Sequence, residues 1–391
     1  MRVGFDARAL VSPIRSGVEH YVISLLGGFG DTPHAPEGIQ IIAYTDRPKG
    51  YDTYARYSGD APFGYSGRLP DGSLTLRVVR ARRGWLRVAL PWRLWRDRAD
   101  LVHLPSTIVP PILPCPAVVT VHDLAWARYP ETYDPADLHM QTQVVPRSIR
   151  RAAHVIAVSQ STADDLVEML GVPASKITVT PLGVSAQFRP EGPPLASDAF
   201  PGAERLAAGY LLAVATGGPH PRKNVARLLE AYEQVRRAGP AAPLVIAGGI
   251  SSPAGRQFIS HAASLGLRDD VVFAGSVGES VLPSLYRGAT VLAYPSLYEG
   301  FGLPILEAMA SGVPVITSDR SSMKEVAGEA AVLIDPENVQ DLASALKRVL
   351  SDGGLRQDLR RRGLARSREF RWERTARETA AVYRRFGREQ G

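Results

Sequence analysis

Ten short apolar runs, largely β-branched, recur along the chain at 39–44, 101–104, 117–121, 155–158, 211–214, 244–247, 271–273, 291–294, 313–316 and 331–334. Amphipathic stretches such as 224–236 and 339–350 separate most of them. Continuous apolar strands alternating with helices mean parallel sheets covered on both faces, the doubly wound α/β class. The chain has 391 residues, more than one hydrophobic core usually holds, so two domains are expected. Helix breakers crowd the stretch from Pro190 to Gly209, and each side carries enough strands for its own Rossmann-like sheet. The division is expected as 1–190 and 191–371, with the two domains facing a cleft. Open α/β sheets bind ligands at the carboxyl ends of their strands, so the strand ends are where chemistry belongs.

Ordinary globular composition, 45% hydrophobic and 22% charged, excludes a disordered or fibrous chain. The net charge is +7, which suits an anionic partner. Of the 46 basic residues 41 are arginine, so each of the five lysines is the more informative. Between Arg77 and Arg98 stand eight arginines and one aspartate. The part 80–98 also carries Trp85, Trp92 and Trp95 with Leu86, Leu90 and Leu94, and Pro91 is expected to break it. It reads equally as an anionic membrane contact and as a helix with inward tryptophans and solvated arginines. A single cysteine, Cys115, permits no internal disulfide and fits a reducing compartment. No run is long enough to span a bilayer, and the start Met1–Asp6 reads as a strand rather than a signal peptide. A cytoplasmic protein, at most peripheral to a membrane, is expected.

Four strand ends stand out. After the strand ending near Tyr294 comes Pro295-Ser296-Leu297-Tyr298-Glu299-Gly300-Phe301-Gly302-Leu303-Pro304, and then a helix with Pro304 at its first position. The free N–H groups of that helix start suit an anion, and Gly300 and Gly302 let the backbone come close. Glu307, expected in the first helical turn, can accept both hydroxyls of a ribose. After 211–214 comes Ala215-Thr216-Gly217-Gly218-Pro219-His220-Pro221-Arg222-Lys223-Asn224, a glycine-rich loop ending in two cations. Arg222 as a fork and Lys223 as a point charge suit a diphosphate. Neither a Walker A loop nor a G-x-G-x-x-G fingerprint is present, which argues against a nicotinamide enzyme. His122 ends the strand 117–121, and Asp123 beside it fits a cap. Gly17, in the loop 15–19 after the first strand, could offer N–H groups to a phosphate.

These residues resemble the retaining GT-B glycosyltransferases, most closely glycosyltransferase family 4. Glu299 and Glu307 with seven residues between them match its E-x7-E element. Asp6-Ala7-Arg8 with Gly17, 120–123, 155–159, 178–184, 273–277 and 370–373 resemble further parts, so the likeness covers nearly the whole chain. Pro221-Arg222-Lys223-Asn224 resembles the mannosyltransferase-like members. The loop 216–221 is two residues longer than the direct passage from Gly-Thr to Pro-Arg-Lys usual there.

The resemblance implies the GT-B fold, with a C-terminal helix, 372–391, crossing back to the first domain. It implies transfer of a hexose, with mannose favoured and GDP-mannose as the donor, to a glycan or lipid-linked hydroxyl. Glu307 would bind the ribose and Glu299 the sugar hydroxyls. His122 would contact the sugar near the reacting carbon. Arg222 and Lys223 would bind the diphosphate, with N–H groups of Gly17, Gly302 and Leu303. Thr216, Gly217, Val277, Gly300 and Phe301 complete the donor contacts. No cofactor or metal would be required, since no suitably placed Asp-x-Asp motif is present, and configuration would be retained with the leaving phosphate taking the acceptor proton. The remaining readings are a GT-B-like sugar-nucleotide epimerase, a non-catalytic nucleotide-sugar binder, and a nucleic-acid-binding protein suggested only by charge.

Overall fold

A computed structural model describes residues 1–11, 17–30, 38–45, 74–79, 84–215, 221–249 and 253–387. Thr216, Gly217, Gly218 and His220 lie outside the described residues, as do Arg15, Ser16 and positions 80–83. The chain forms two compact units, Met1–Gly183 with Arg371–Gly391, and Val184–Phe370.

The first unit carries β1 (Arg2–Asp6), β2 (Gln40–Thr45), β3 (Leu74–Val78), β4 (Leu101–Leu104), β5 (Ala117–Val121), β6 (His154–Ala157) and β7 (Ile177–Val179). Its helices are α1 (Gly17–Gly30), α2 (Leu90–Arg96), α3 (Ala125–Arg128), α4 (Pro135–Arg151) and α5 (Gln160–Leu170). The strands form one parallel sheet in the order β3-β2-β1-β4-β5-β6-β7. Every residue of β4, β5 and β6 is buried, as expected of strands covered on both faces. The edge strand β3 leaves no continuous apolar run in the sequence. Its Leu-Thr-Leu-Arg-Val alternates, because it is only partly covered.

The second unit carries β8 (Tyr210–Ala215), β9 (Leu244–Gly248), β10 (Val271–Gly275), β11 (Ala289–Tyr294), β12 (Val315–Ser318) and β13 (Val332–Ile334). Around them lie α6 (Val225–Arg237), α7 (Pro253–Ser264), α8 (Leu282–Gly288), α9 (Leu303–Ala310), α10 (Ser321–Ala327), α11 (Val339–Ser351) and α12 (Gly353–Ser367). The sheet is parallel, in the order β10-β9-β8-β11-β12-β13. The segment rich in proline and glycine packs inside this unit. Phe188 lies edge-on to Tyr286, and Arg287 donates to the carbonyl of Pro193. In each sheet the strand order reverses once, between β1 and β4 and between β8 and β11. Those reversals are where a doubly wound sheet opens a crevice for a ligand.

The last helix, α13 (Trp372–Phe386), belongs to the first unit. Its face Trp372, Ala376, Ala380 and Tyr383 is buried. Gly28 of α1 lets it approach: a Cβ there would lie 2.9 Å from the Trp372 carbonyl oxygen and 3.0 Å from Ala376 Cβ. Thr375 donates to the Pro181 carbonyl at 2.7 Å. Tyr383 Oη meets His103 Nδ1 at 2.6 Å, His103 Nε2 meets Thr120 Oγ1 at 2.7 Å, and Thr120 meets Tyr21 at 2.9 Å. This buried chain of polar groups ties α13, β4, β5 and α1 together. Burial, helped by His122, pushes His103 down to about 3, so its imidazole is neutral.

Pro91 does not break the basic segment. It stands in the first turn of α2, and one wide turn, Trp85–Ala89, leads directly into it, so the helical path runs on through the proline. Trp85, Leu90 and Leu94 are buried, whereas Trp92 and Trp95 are exposed. Of the three tryptophans in this segment only Trp85 turns inward.

Candidate active site

Two of the four strand ends meet at the reversal point of the second unit. β8 leads, beyond 216–220, into the turn Pro221–Lys223, and β11 ends at Tyr294. Lys223 is only 6% exposed, so its ammonium needs partners. Its Nζ lies 2.7 Å from Glu299 Oε1 and donates to Tyr294 Oη at 3.1 Å. It also stands 5.4 Å from the centre of the Tyr294 ring. Burial alone would raise the Glu299 pKa. The charges of Lys223 and Arg222, with hydrogen bonds from Lys223 and Ser296, outweigh it and hold the carboxyl below its usual range. Burial and the Glu299 charge push the Tyr294 phenol well up, so it stays neutral.

The backbone locks the two loops together. Leu297 N–H donates to the Arg222 carbonyl at 2.7 Å. Asn224, left-handed at φ 59°, donates its side-chain amide to the carbonyls of Pro295 at 3.1 Å and Pro336 at 2.6 Å. The Glu299 carbonyl accepts from Ser321 and Ser322 at 2.6 and 2.8 Å. The carboxylate and ammonium are therefore fixed by loops that are themselves fixed.

Gly302 caps α9 at φ 102°, a conformation that favours glycine, and Pro304 follows in the first turn. Gly300, Gly302 and Leu303 line this approach to the helix start. The Phe301 side chain is buried edge-on against Phe370, 5.9 Å between ring centres, so any ligand contact of Phe301 falls to its backbone. The position expected for Glu307 needs correction. Because α9 already begins at Leu303, Glu307 stands in the second turn, facing Tyr286 of α8. Tyr286 Oη donates to Glu307 Oε2 at 2.7 Å. Burial pushes Glu307 up to about 7; the Tyr286 bond works against this, and Glu279 adds to it. Glu279 lies in the loop between β10 and α8, two residues beyond the half-buried Val277. The structure thus brings Arg222, Lys223, Glu299 and 300–303 together, with Glu307 and the Val277 loop beside one another.

Gly17 and His122 belong to the first unit. Gly17 is the first residue of α1 and has open space on its Cβ side. His122 follows β5, and its Nε2 donates to the Pro105 carbonyl at 3.1 Å. A carbonyl only accepts, so Nε2 carries the proton and Nδ1 of the neutral ring is an acceptor. The Tyr21 ring of α1 stands edge-on to it at 4.9 Å. Burial lowers the His122 pKa further than Asp123, the Pro105 bond and Glu19 raise it. Asp123 caps the next turn, accepting from Ala125 N–H at 2.9 Å.

Sequence reasoning passed over Tyr294, Ser296, Tyr286 and Tyr21. Tyr294 and Ser296 stand within the quoted motif, and a polar pair at the end of a buried strand was the signal. Nothing in the sequence pairs Tyr286 with Glu307.

The chain matches the family model for glycosyl transferases group 1 over residues 200–366 and that for glycosyltransferase family 4 over 15–188. It is 32% identical over 298 residues to O-antigen chain mannosyltransferase B of Escherichia coli, covering 75% of this chain and 76% of that one. It is 29% identical to the serotype-specific mannosyltransferase WbdA of Escherichia coli, covering 58% of this chain and 28% of that one. Its fold is similar to that of Anabaena HepE solved with UDP-glucose, with TM-score 0.73, 18% identity, and 98% and 100% of the two chains covered. The chain belongs to the family 4 glycosyltransferases, hexosyl-transferring enzymes of the GT-B fold.

Proposed function

We propose that the protein transfers mannose from GDP-mannose to a hydroxyl of a glycan or lipid-linked acceptor, with retention and without a metal. The observation that carries this reading is the buried Lys223, held by Glu299 and Tyr294 beside Arg222 at the point where the second sheet reverses. A departing diphosphate needs positive charge placed in advance, and a fixed ammonium and guanidinium supply it without reorganising. Mannose is supported by the two mannosyltransferase relatives, and a nucleotide-sugar donor by the UDP-glucose held by HepE.

Arg222 and Lys223 hold the diphosphate, with N–H groups of Gly17, Gly302 and Leu303. The Glu307 carboxylate, steadied on one oxygen by Tyr286, takes the ribose hydroxyls. Glu299 orients the sugar hydroxyls. His122 offers Nδ1 as an acceptor to the sugar near the reacting carbon. Thr216, Gly217, Val277, Gly300 and Phe301 complete the donor contacts. The bond from the anomeric carbon to the phosphate oxygen breaks, the bond to the acceptor oxygen forms on the same face, and the acceptor proton passes to the leaving phosphate. No enzyme nucleophile is needed, unlike the two-carboxylate route of glycosidases.

Among the described residues no helix is long and apolar enough to cross a membrane. A cytoplasmic location, with peripheral contact to anionic membrane through 80–98, fits that and the exposed Trp92 and Trp95. The test is a thermal-shift screen of GDP, UDP, ADP and dTDP sugars in excess chelator, followed by nuclear magnetic resonance of the product anomer. GDP-mannose should give the largest shift, and the product should be the α-mannoside. A larger shift with another donor would overturn the assignment of the sugar, and a β-product would overturn retention.

A further inference from the structure

The amino ends of the first unit's strands carry a second basic site that the donor reading does not use. β1, β2 and β3 lie side by side, with Arg2 paired to Gln40, Ile42 to Thr75 and Tyr44 to Arg77. Paired residues of parallel strands point to the same face, so Arg2, Gln40, Thr75 and Arg77 share one. Helix α2 crosses that face closely because Gly4 has no side chain: a Cβ there would strike Leu94. The end of α2 is thereby pinned over the strands. Asp97 accepts from Tyr44 Oη at 2.7 Å and pairs with Arg77 at 2.5 Å.

Between the strands and the helix end lies a hollow of about 320 Å³. Arg2, Arg77, Arg96 and Arg98 line it against the single carboxylate of Asp97. The carbonyl end of α2 adds about half a negative charge, which does not offset a surplus of three guanidinium charges. A neighbouring hollow of about 600 Å³ shares Arg96 and Arg98 and is walled by Leu94, Trp95 and Pro114, with Asp100. Neither hollow includes a residue of the donor site.

Arg98 is an unusual choice for its position. Ala99 N–H returns to the Leu94 carbonyl and Arg98 N–H to the Trp95 carbonyl, a helix end that favours glycine at 98. Arg98 is left-handed there, at φ 52°. A side chain carried where the backbone favours glycine points to a role for the side chain.

We infer that this hollow is a phosphate-group site, separate from the donor site, in which Arg96 and Arg98 bind a phosphomonoester or phosphodiester. Guanidinium forks match the oxygens of such a group, and the size suits a small ligand. The phosphate belongs either to a soluble molecule or to a lipid headgroup, and Trp95 borders the hollow in both cases.

The test is calorimetric titration of the full chain with inorganic phosphate at low ionic strength. Wild type, Lys223→Ala and the double variant Arg96→Ala/Arg98→Gly are compared. Saturable binding should survive Lys223→Ala, which removes the donor-site lysine, and weaken at least tenfold in the double variant. The double variant should melt no lower than wild type, since glycine relieves position 98. Co-sedimentation with phosphatidylglycerol vesicles but not phosphatidylcholine vesicles, lost in the double variant, would assign the phosphate to lipid. Phosphate binding without co-sedimentation would assign it to a soluble ligand. Equal binding by the double variant, or binding of neither probe by wild type, would overturn the site.

Discussion

Lys223 Nζ lies 2.7 Å from Glu299 Oε1 with both residues buried, which makes this lysine and this glutamate one electrostatic unit. Removing one partner of a buried pair leaves the other charge without compensation, which typically costs about 3–5 kcal/mol. Lys223→Met should therefore lower stability as well as turnover, the latter by about 10²–10³. Lys223→Met/Glu299→Gln should regain most of the stability and none of the activity. Denaturant midpoints and turnover measured on the two variants check this. Restored turnover in the double variant would contradict the roles given to both residues.

Tyr294 is a further partner of the buried Lys223. Tyr294→Phe keeps the ring beneath Lys223 and removes the oxygen that accepts from Nζ. The loss should fall on kcat, by about tenfold, with donor KM nearly unchanged, because a net hydrogen bond to a charged group is worth about 1.5–3 kcal/mol and Glu299 remains. Steady-state kinetics with saturating acceptor separates the two constants.

Glu307 gives the second unit an unusual pH dependence. Burial pushes its folded pKa up to about 7, above the ordinary 4.5, so the folded state binds the proton more tightly. Stability from this group is full below pH 4.5 and is lost as pH rises toward 7. Glu307→Gln should therefore raise the melting temperature at pH 8 and change it little at pH 5. The same substitution should raise donor KM about ten- to hundredfold, if the carboxylate accepts the ribose hydroxyls. Tyr286→Phe removes the bond that lowers this pKa, so the acid limb of donor binding should move to higher pH.

His103 acts in the opposite sense. Its folded pKa, about 3, lies below the unfolded value, so stability is present above pH 6.5 and is lost as pH falls through the range between them. His154, pushed down to about 4 by burial and by Arg385 and Lys176, adds to this. His103→Gln should cost stability at pH 7.5, by breaking the bond chain to Tyr383 and Thr120, yet flatten the loss on acidification. Melting curves from pH 4 to 8 would reveal the crossing.

Most strands were legible because parallel strands covered on both faces leave continuous apolar runs, whereas their order, and with it the reversal points, was not. β3 was not, since a partly covered edge strand alternates. Lys223, Glu299 and Glu307 stood out by residue type and spacing at strand ends. What the sequence could not convey was pairing across distance. Lys223 and Glu299 are 76 residues apart, and Glu307 and Tyr286 are 21 apart on different helices. Arg98 was hidden among arginines, because its left-handed backbone depends on how α2 ends.

The most direct measurement is the affinity for GDP in excess chelator, taken by calorimetry on wild type and on Lys223→Met/Glu299→Gln. With the buried charge removed as a pair, folding is preserved and only the diphosphate contact is lost. Tight binding by wild type and at least hundredfold weaker binding by the variant is the expected result. Equal affinity in the two proteins would mean that Lys223 does not hold the diphosphate.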